Sequence, residues 1–235
     1  MKISLLHTND FHGNLSEAKV EQLAALRSAA DLYFDCGDSI KTGNLGVPIG
    51  AEPCWDRFEK LGLNASVLGN RETHPLRNVF EAKIAGAKHP ILVANMTRTS
   101  GAKVFERSLI IELEGVKVGV FGVMIPMATE KMLTKEAWSY RWTSPIPVAC
   151  EVAEELAPEV DLVVALTHIG HPDDVKLAEA TSHINIILGG HSHTAVEAPE
   201  RYGNTYVCQA GSHGKFAGVY EWNGETLFGG LVSLS

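Results

Sequence analysis

The sequence is short of several things, and each absence excludes a class. No apolar stretch approaches the roughly 18 residues that a membrane-spanning helix requires. There are four cysteines, Cys36, Cys54, Cys150 and Cys208, and no C-x-x-C pair, which sets aside a zinc finger or a thioredoxin-like redox motif. Basic charge is scarce: 20 Lys and Arg stand against 28 Asp and Glu, a formal net charge of −8. Without a local basic cluster beyond pairs such as Arg98 near Lys103, counterion release would give little affinity for a nucleic-acid groove. A nucleotide or a strand end stays open as substrate. No repeat, linker or low-complexity segment interrupts the chain. The opening Met1-Lys2-Ile3-Ser4-Leu5-Leu6 is too short for a secretory leader, so a cytoplasmic protein with reduced thiols and no membrane contact is expected.

What remains is ordinary globular composition: 235 residues, 45% hydrophobic and 20% charged. A chain of this mass would expose about 10,000 Å² folded against about 37,000 Å² unfolded, so a core forms without staples. We expect a single domain over residues 1–235. Strand and helix patterns alternate, which argues α/β layers. Strands are expected at Lys2–His7, Leu32–Asp35, Ala65–Leu68, Ile91–Ala94, Asp161–Leu166 and Ile184–Leu188. Helices are expected at Glu17–Ala30 behind a Ser16 cap, near Trp55–Leu61, after Pro75, and at Val148–Leu156 and Asp173–Ala180. Ser108–Glu112 and Lys117–Val123 read as a hairpin about Glu114-Gly115, and the last 35 residues read as strands.

Five expected strand ends carry residues able to hold a metal: Asp10 and His12; Asp38; Asn70; His168; His191 and His193. In α/β sheets ligands bind beyond the carboxyl ends of the strands. The i, i+2 pairs would point the same way if the chain stays extended there. Two carboxylates, one amide and four imidazoles suit Mn²⁺, Zn²⁺ or Fe better than Ca²⁺. Seven donors exceed one tetrahedral ion and suit two sharing a carboxylate. Two divalent ions, two aspartates, a hydroxide and Arg71 would leave a positive pocket in an acidic protein, attractive to phosphate.

The blocks His7-Thr8-Asn9-Asp10-Phe11-His12-Gly13, Gly37-Asp38-Ser39, Gly69-Asn70, Thr167-His168 and Gly189-Gly190-His191-Ser192-His193 resemble those of the calcineurin-like metallophosphoesterases. The form is closest to the catalytic domain of the 5'-nucleotidase and UDP-sugar hydrolase branch. Gln209-Ala210-Gly211-Ser212 with Gly214-Lys215 is similar to the end of that domain. The resemblance implies a four-layer α/β/β/α sandwich and a dinuclear centre. Asp10, His12 and His193 would hold one ion, Asn70, His168 and His191 the other, and Asp38 would bridge. It implies a phosphoric ester hydrolase in which a metal-bound hydroxide attacks phosphorus in line. Its substrate would be a small phosphate ester, nucleotide-like.

Two departures qualify that implication. The family block reads Gly-Asn-His-Glu with an Asp three positions after the His; here Arg71 and His74 occupy those places. Arg cannot donate a proton at useful rates, but it grips phosphate oxygens in a fork. Either Arg71 clamps a substrate with a good leaving group, as in a pyrophosphate or phosphodiester, or His74 serves as the acid for monoesters. The UDP-diacylglucosamine pyrophosphatases of the superfamily look similar at this Arg. The chain is also expected to stop where the catalytic domain stops, without the branch's base-stacking C-terminal domain. Trp138, Tyr140 and Trp142 would then either wall the site, pack the long connection, or form a subunit interface in a homo-oligomer. Asp35 and Cys36 read as strand-end packing, His171, Asp173 and Asp174 as helix caps, and His7 as either a partner orienting a ligand or a plain strand residue. A non-catalytic, metal-bound scaffold for a protein partner is the competing class.

Overall fold

The computed structural model describes residues 2–235. Thirteen strands and five α-helices follow in the order β1 (Ile3–Thr8), α1 (Glu17–Arg27), β2 (Leu32–Asp35), α2 (Pro53–Leu61), β3 (Ala65–Ser66), α3 (Arg77–Ile84), β4 (Met96–Arg98), β5 (Ser108–Leu113), β6 (Val116–Met124), β7 (Tyr140–Trp142), α4 (Pro145–Leu156), β8 (Leu162–His168), α5 (His171–Ala180), β9 (Ile186–Gly189), β10 (Glu200–Tyr202), β11 (Thr205–Gln209), β12 (Phe216–Trp222) and β13 (Leu227–Ser233). One sheet runs β13-β12-β1-β2-β3 and the other β10-β11-β9-β8-β6-β5; β4 and β7 form a separate ribbon.

The alternation of side chains builds the layers. Leu5, Phe34, Val120, Val164, Leu166, Ile186 and Leu188 face inward and fill the space between the sheets. Their neighbours Leu6 and Tyr33 face outward onto α1 and α2. Phe121, Val163, Ala165 and Ile187 face outward onto α4 and α5. Both faces of each central strand are apolar, as parallel sheets covered by helices require. The accessible surface is 9971 Å², as the mass leads one to expect.

Helix α1 starts where Ser16 accepts the Lys19 N–H and ends at Arg27, short of Ala30. Val20 and Leu23 are buried, while Ala24 faces solvent rather than the core. Pro53 opens α2 and Gly62 closes it in the left-handed region, φ 63°. The β5–β6 hairpin turns on Glu114 (φ 48°) and Gly115 (φ 84°), the expected pair. Ile91–Ala94 is not a strand: Ile91 and Leu92 make only isolated bridges, to Ser66 and Glu106. The strand in that region is β4, which pairs with β7. Tyr140 and Trp142 are buried in the inter-sheet core, and Trp138 packs against it, so they pack the connection rather than wall a pocket.

Within the first sheet, β1, β2 and β3 are adjacent and parallel; within the second, β6, β8, β9 and β11 are. Their carboxyl ends therefore emerge along one edge of each sheet, and the two edges meet.

Candidate metal centre

The structure brings all seven expected residues to that shared edge. The loop after β1 runs along the loop after β2 through Asp10 N–H to Gly37 O at 2.9 Å and His12 N–H to Asp38 O at 2.8 Å. His191 N–H donates to Asp10 Oδ2 at 2.9 Å and so joins the second sheet to the first. Cys36, expected to be packing, is a joint as well: its carbonyl accepts from His168 Nδ1 at 2.6 Å and its thiol donates to Leu188 O at 2.9 Å.

The chain does not stay extended through the paired donors. Asp10 (φ 52°), His12 (51°), Asp38 (55°), His191 (78°) and His193 (57°) all lie in the left-handed region, as does His213 (59°). Each ligand loop is a sharp reversal, and the i, i+2 donors converge because the backbone kinks, not because a strand continues. Short polar side chains tolerate this region better than most, and functional sites are where such backbone collects. A Cβ at Gly69 would collide with Asp38 Oδ1, and one at Gly190 would press on the Cys36 carbonyl and Asp10 Oδ2, so these glycines admit the close approach of backbone and carboxylates.

The donors fall into two groups. His12 Nε2 lies 3.3 Å from Asp10 Oδ1 and 3.0 Å from His193 Nε2, and His193 Nε2 lies 3.4 Å from Asp10 Oδ1. Tetrahedral donors about 2.0–2.1 Å from one ion stand about 3.4 Å apart, so this spacing fits a shared cation. Asn70 Oδ1 lies 3.3 Å from His168 Nε2 and 3.0 Å from His191 Nδ1. Asp38 stands between the groups, Oδ2 3.8 Å from His12 Nε2 and Oδ1 3.6 Å from His168 Nε2. Asp10, Asp38 and His168 also draw together as a second compact cluster.

The chemistry of these atoms matches a cation. Since His168 Nδ1–H serves the Cys36 carbonyl, the neutral ring presents a bare Nε2 lone pair to two oxygens, a convergence of acceptors that a metal ion resolves. Burial alone would lower the His168 pKa, but Asp38, Asp10 and the Cys36 carbonyl outweigh it and raise it, so the same field that would bind a proton there favours an ion. At Asp10, burial opposes ionisation, yet contacts from His12, His168, Asn9 and the His191 N–H hold the carboxyl down at about 2. A permanently charged carboxylate results.

Several supporting residues had no assigned role in the sequence. Glu72 is buried and accepts the backbone N–H groups of Asp38, Ser39, Ile40 and Gly69 at 2.9–3.2 Å, which fixes the turn presenting Asp38. Its place beside Asn70 in the Gly-Asn block was the available signal. Asn9 donates to Asp10 Oδ2 and Gly211 O and accepts from Ala210 N–H, tying the first ligand loop to the Gln209–Gly211 block. His213 stacks on the His12 ring, centroids 4.8 Å apart and planes at 15°.

Other expectations are revised. Asp35 accepts from Thr8, Ser39 and Gly37 N–H and organises the β2 turn rather than merely filling it. None of His171, Asp173 or Asp174 caps α5, whose N-cap is Gly170 without a side-chain bond. His171 pairs with Glu200, Asp173 with Lys176, and Asp174 is buried on Thr167 and Gln209. His7 is buried, no hydrogen bond joins its ring to any of the seven donors, and burial drops its pKa to about 3 despite the Gly189 backbone, so it is a strand residue rather than a partner of a donor. Arg71 donates its backbone N–H to Asp38 Oδ1 at 2.7 Å and one guanidinium N–H to Lys41 O at 3.2 Å. His74 is buried, accepts the Leu76 N–H through Nδ1 at 3.0 Å, and is made less basic by burial and by Lys83.

No protein-family model matches the chain. A 5'-nucleotidase of Vibrio cholerae is 29% identical over 279 residues, an alignment that takes in 95% of this chain and 50% of that protein. Among solved structures, a 5'-nucleotidase precursor from Thermus thermophilus superposes with a TM-score of 0.81 at 21% identity, over all of this chain and 55% of that one. The calcineurin-like phosphoesterase YfkN of Bacillus subtilis gives 0.78 at 22%, over 99% of this chain and 91% of that one. The chain spans about half the length of the curated 5'-nucleotidase it matches. With seven donors assembled on the edge of a helix-flanked double sheet, the chain has the calcineurin-like phosphoesterase fold and resembles, along nearly its whole length, one half of the 5'-nucleotidases.

Proposed function

We propose that the chain is a dinuclear-metal-dependent phosphoesterase acting on a small, nucleotide-like phosphate compound. The observation that carries this reading is the convergence of Asp10, His12 and His193 on one side of Asp38 and of Asn70, His168 and His191 on the other. Mn²⁺ suits this mixed nitrogen and oxygen set, with Zn²⁺ or Fe as alternatives. When bound, two such ions would act as Lewis acids on phosphoryl oxygens and lower the pKa of water. The chain's own residues do the rest. Asp38 faces both donor groups and would hold them in register. Arg71, anchored by its backbone to Asp38, reaches the rim with a guanidinium that spends one N–H on Lys41 O and keeps a fork for phosphate oxygens. The free thiols Cys36, Cys54, Cys150 and Cys208, three of them buried, support a reducing, cytoplasmic setting.

A second reading of the same centre has a specific observation behind it. Nδ1 of His74 is committed to the Leu76 N–H and the ring is depressed in basicity, so it is a poor source of a proton for an alkoxide leaving group. Losing a general acid costs about 10²–10⁴ in rate for poor leaving groups and little for good ones. Arg71 as clamp and no general acid together favour a pyrophosphate or phosphodiester bond.

Products released from AMP, UDP-glucose and a bis-aryl phosphodiester by Mn²⁺-loaded protein decide the matter, with Asp38→Asn as the blank. Cleavage of any of them above the blank supports the enzyme. Turnover of UDP-glucose or the diester without AMP supports the second reading. Absence of all three activities in protein holding two ions would leave a scaffold.

A further inference from the structure

A lysine ammonium is buried beside the site with no carboxylate at ion-pair distance among the described residues, although Glu72, Glu52 and Asp38 favour its charge from farther off. Lys83, on α3, is fully buried, and among the described residues no salt bridge includes it. Its three N–H groups are shared instead among four backbone carbonyls: Gly43 O at 2.8 Å, Asn44 O at 3.0 Å, Arg71 O at 2.7 Å and Thr73 O at 3.0 Å. Burying a cation costs more than burying an apolar side chain of the same length, and its hydrogen bonds offset that cost only while all these carbonyls stay in place. Its four partners have a pattern. Two belong to the loop that carries Asn44, and two, Arg71 and Thr73, follow Asn70 in the next turn of chain. Lys83 thus clasps two loops against each other.

Between those loops lies one side-chain contact. Asn70 Nδ2 donates to Asn44 Oδ1 at 2.9 Å. The other end of the same amide, Oδ1, faces His168 Nε2 and His191 Nδ1. An asparagine amide is nearly symmetric in shape, and nothing in its size prevents rotation by half a turn. Rotated, it would present N–H groups to an ion and an oxygen to the Asn44 oxygen. With Asn44 presenting its oxygen, as it does here, that state would set two oxygens against each other and is disfavoured.

We propose that Asn44, held by the buried Lys83, is a positioning residue that keeps the carbonyl oxygen of Asn70 turned into the half-site of His168 and His191. This rests on the reading of Asn70 as a metal ligand. Asn44 is exposed, so its replacement spares the fold. Chelator-stripped protein is titrated with Mn²⁺ and the two affinities are read by calorimetry. Asn44→Ala is expected to weaken one of the two sites by about 10–100-fold and leave the other unchanged, the usual cost of losing a ligand's supporting partner. Asn44→Asp, whose oxygens only accept, is expected to keep both sites. Lys83→Met is expected to copy Asn44→Ala; if it does not fold, the Asn44 pair carries the test. Asn70→Ala is the control. If it weakens one site while Asn44→Ala leaves both affinities within about twofold of wild type, the positioning role is overturned and the ligand set stands. If Asn70→Ala holds two ions as tightly as wild type, the ligand assignment fails, and the positioning role fails with it.

Discussion

At Asp10, His12 and His193 every donor sits on left-handed backbone, and the His193 side chain is 40% exposed. At Asn70 and His168 the backbone is ordinary, His168 is fully buried at the end of β8, and each side chain is aimed by a hydrogen bond behind it, from Asn44 and to Cys36. The first half-site is thus shaped by loop conformation, which costs roughly 1–2 kcal/mol for each left-handed residue. The second keeps one left-handed donor, His191, and is otherwise shaped by anchoring, which costs buried polar groups that must stay satisfied. Two pockets of like purpose in one molecule would therefore fail differently when damaged.

The largest expected effect lies where they meet. Asp38→Asn should lower kcat by about 10³-fold or more and weaken Mn²⁺ binding in both half-sites, because it removes the carboxylate that stands between them. Calorimetry and steady-state rates check this, and unchanged binding in either half would assign the carboxylate to the other. Stability separates the halves next. In EDTA, urea unfolding of His168→Ala should cost about 3 kcal/mol, from a cavity and an orphaned Cys36 carbonyl. His193→Ala, at the rim, should cost under about 0.5 kcal/mol. Equal losses would erase the distinction. Mn²⁺ at about 100 times its Kd should add about 2.7 kcal/mol, raising Tm by about 5–10 °C in a thermal scan.

A smaller effect follows from Asp35, behind the turn that carries Asp38. Burial pushes its carboxyl up to about 8, against bonds from Ser39, Thr8 and Gly37 N–H and with the charge of Glu72 adding to the rise. The folded group keeps a proton that the unfolded group loses near pH 4, so its contribution is complete below about pH 4 and is lost as the pH climbs toward 8. Asp35→Asn should flatten that stretch of the stability curve in EDTA; a curve parallel to wild type would mean that Asp35 is ionised in the fold. The smallest effect tests the cost of left-handed backbone itself. Among the described residues, Glu114 is the left-handed non-glycine residue that lies away from the site. Glu114→Asn, better suited to the hairpin turn, should gain about 0.5 kcal/mol by urea unfolding, with metal binding unmoved.

The sequence was most legible where a period or a terminator acts locally. The limits of β2 and the β5–β6 turn followed from a short apolar run and turn chemistry, and the start of α1 from its Ser16 cap. It was least legible where partners are distant. Ile91–Ala94 is apolar enough for a strand, but its neighbours offer only single bridges. Asp174 looks like a helix-capping residue by position, yet Gln209, far along the chain, draws it inward. The seven donors were visible because they recur at strand ends. Their left-handed backbone was not, since nothing in D-x-H distinguishes a kink from an extended pair. The anchors Asn44 and Lys83 were invisible because their bonds are to backbone or to another loop, and Glu72 showed only as a member of the Gly-Asn block.

The joint at Cys36 and His191 has a consequence for how the molecule comes apart. Asp10 and His193, near opposite ends of the chain, converge on one spot, so an ion held there closes a loop around most of the fold. Such a clip restricts the open chain most when the loop it closes is long. Release of β1 from the sheet, or of β9 from its neighbours, would have to break ion contacts first. Bound metal would then act as a latch on unfolding, and resistance to proteolysis would follow the occupancy of the centre.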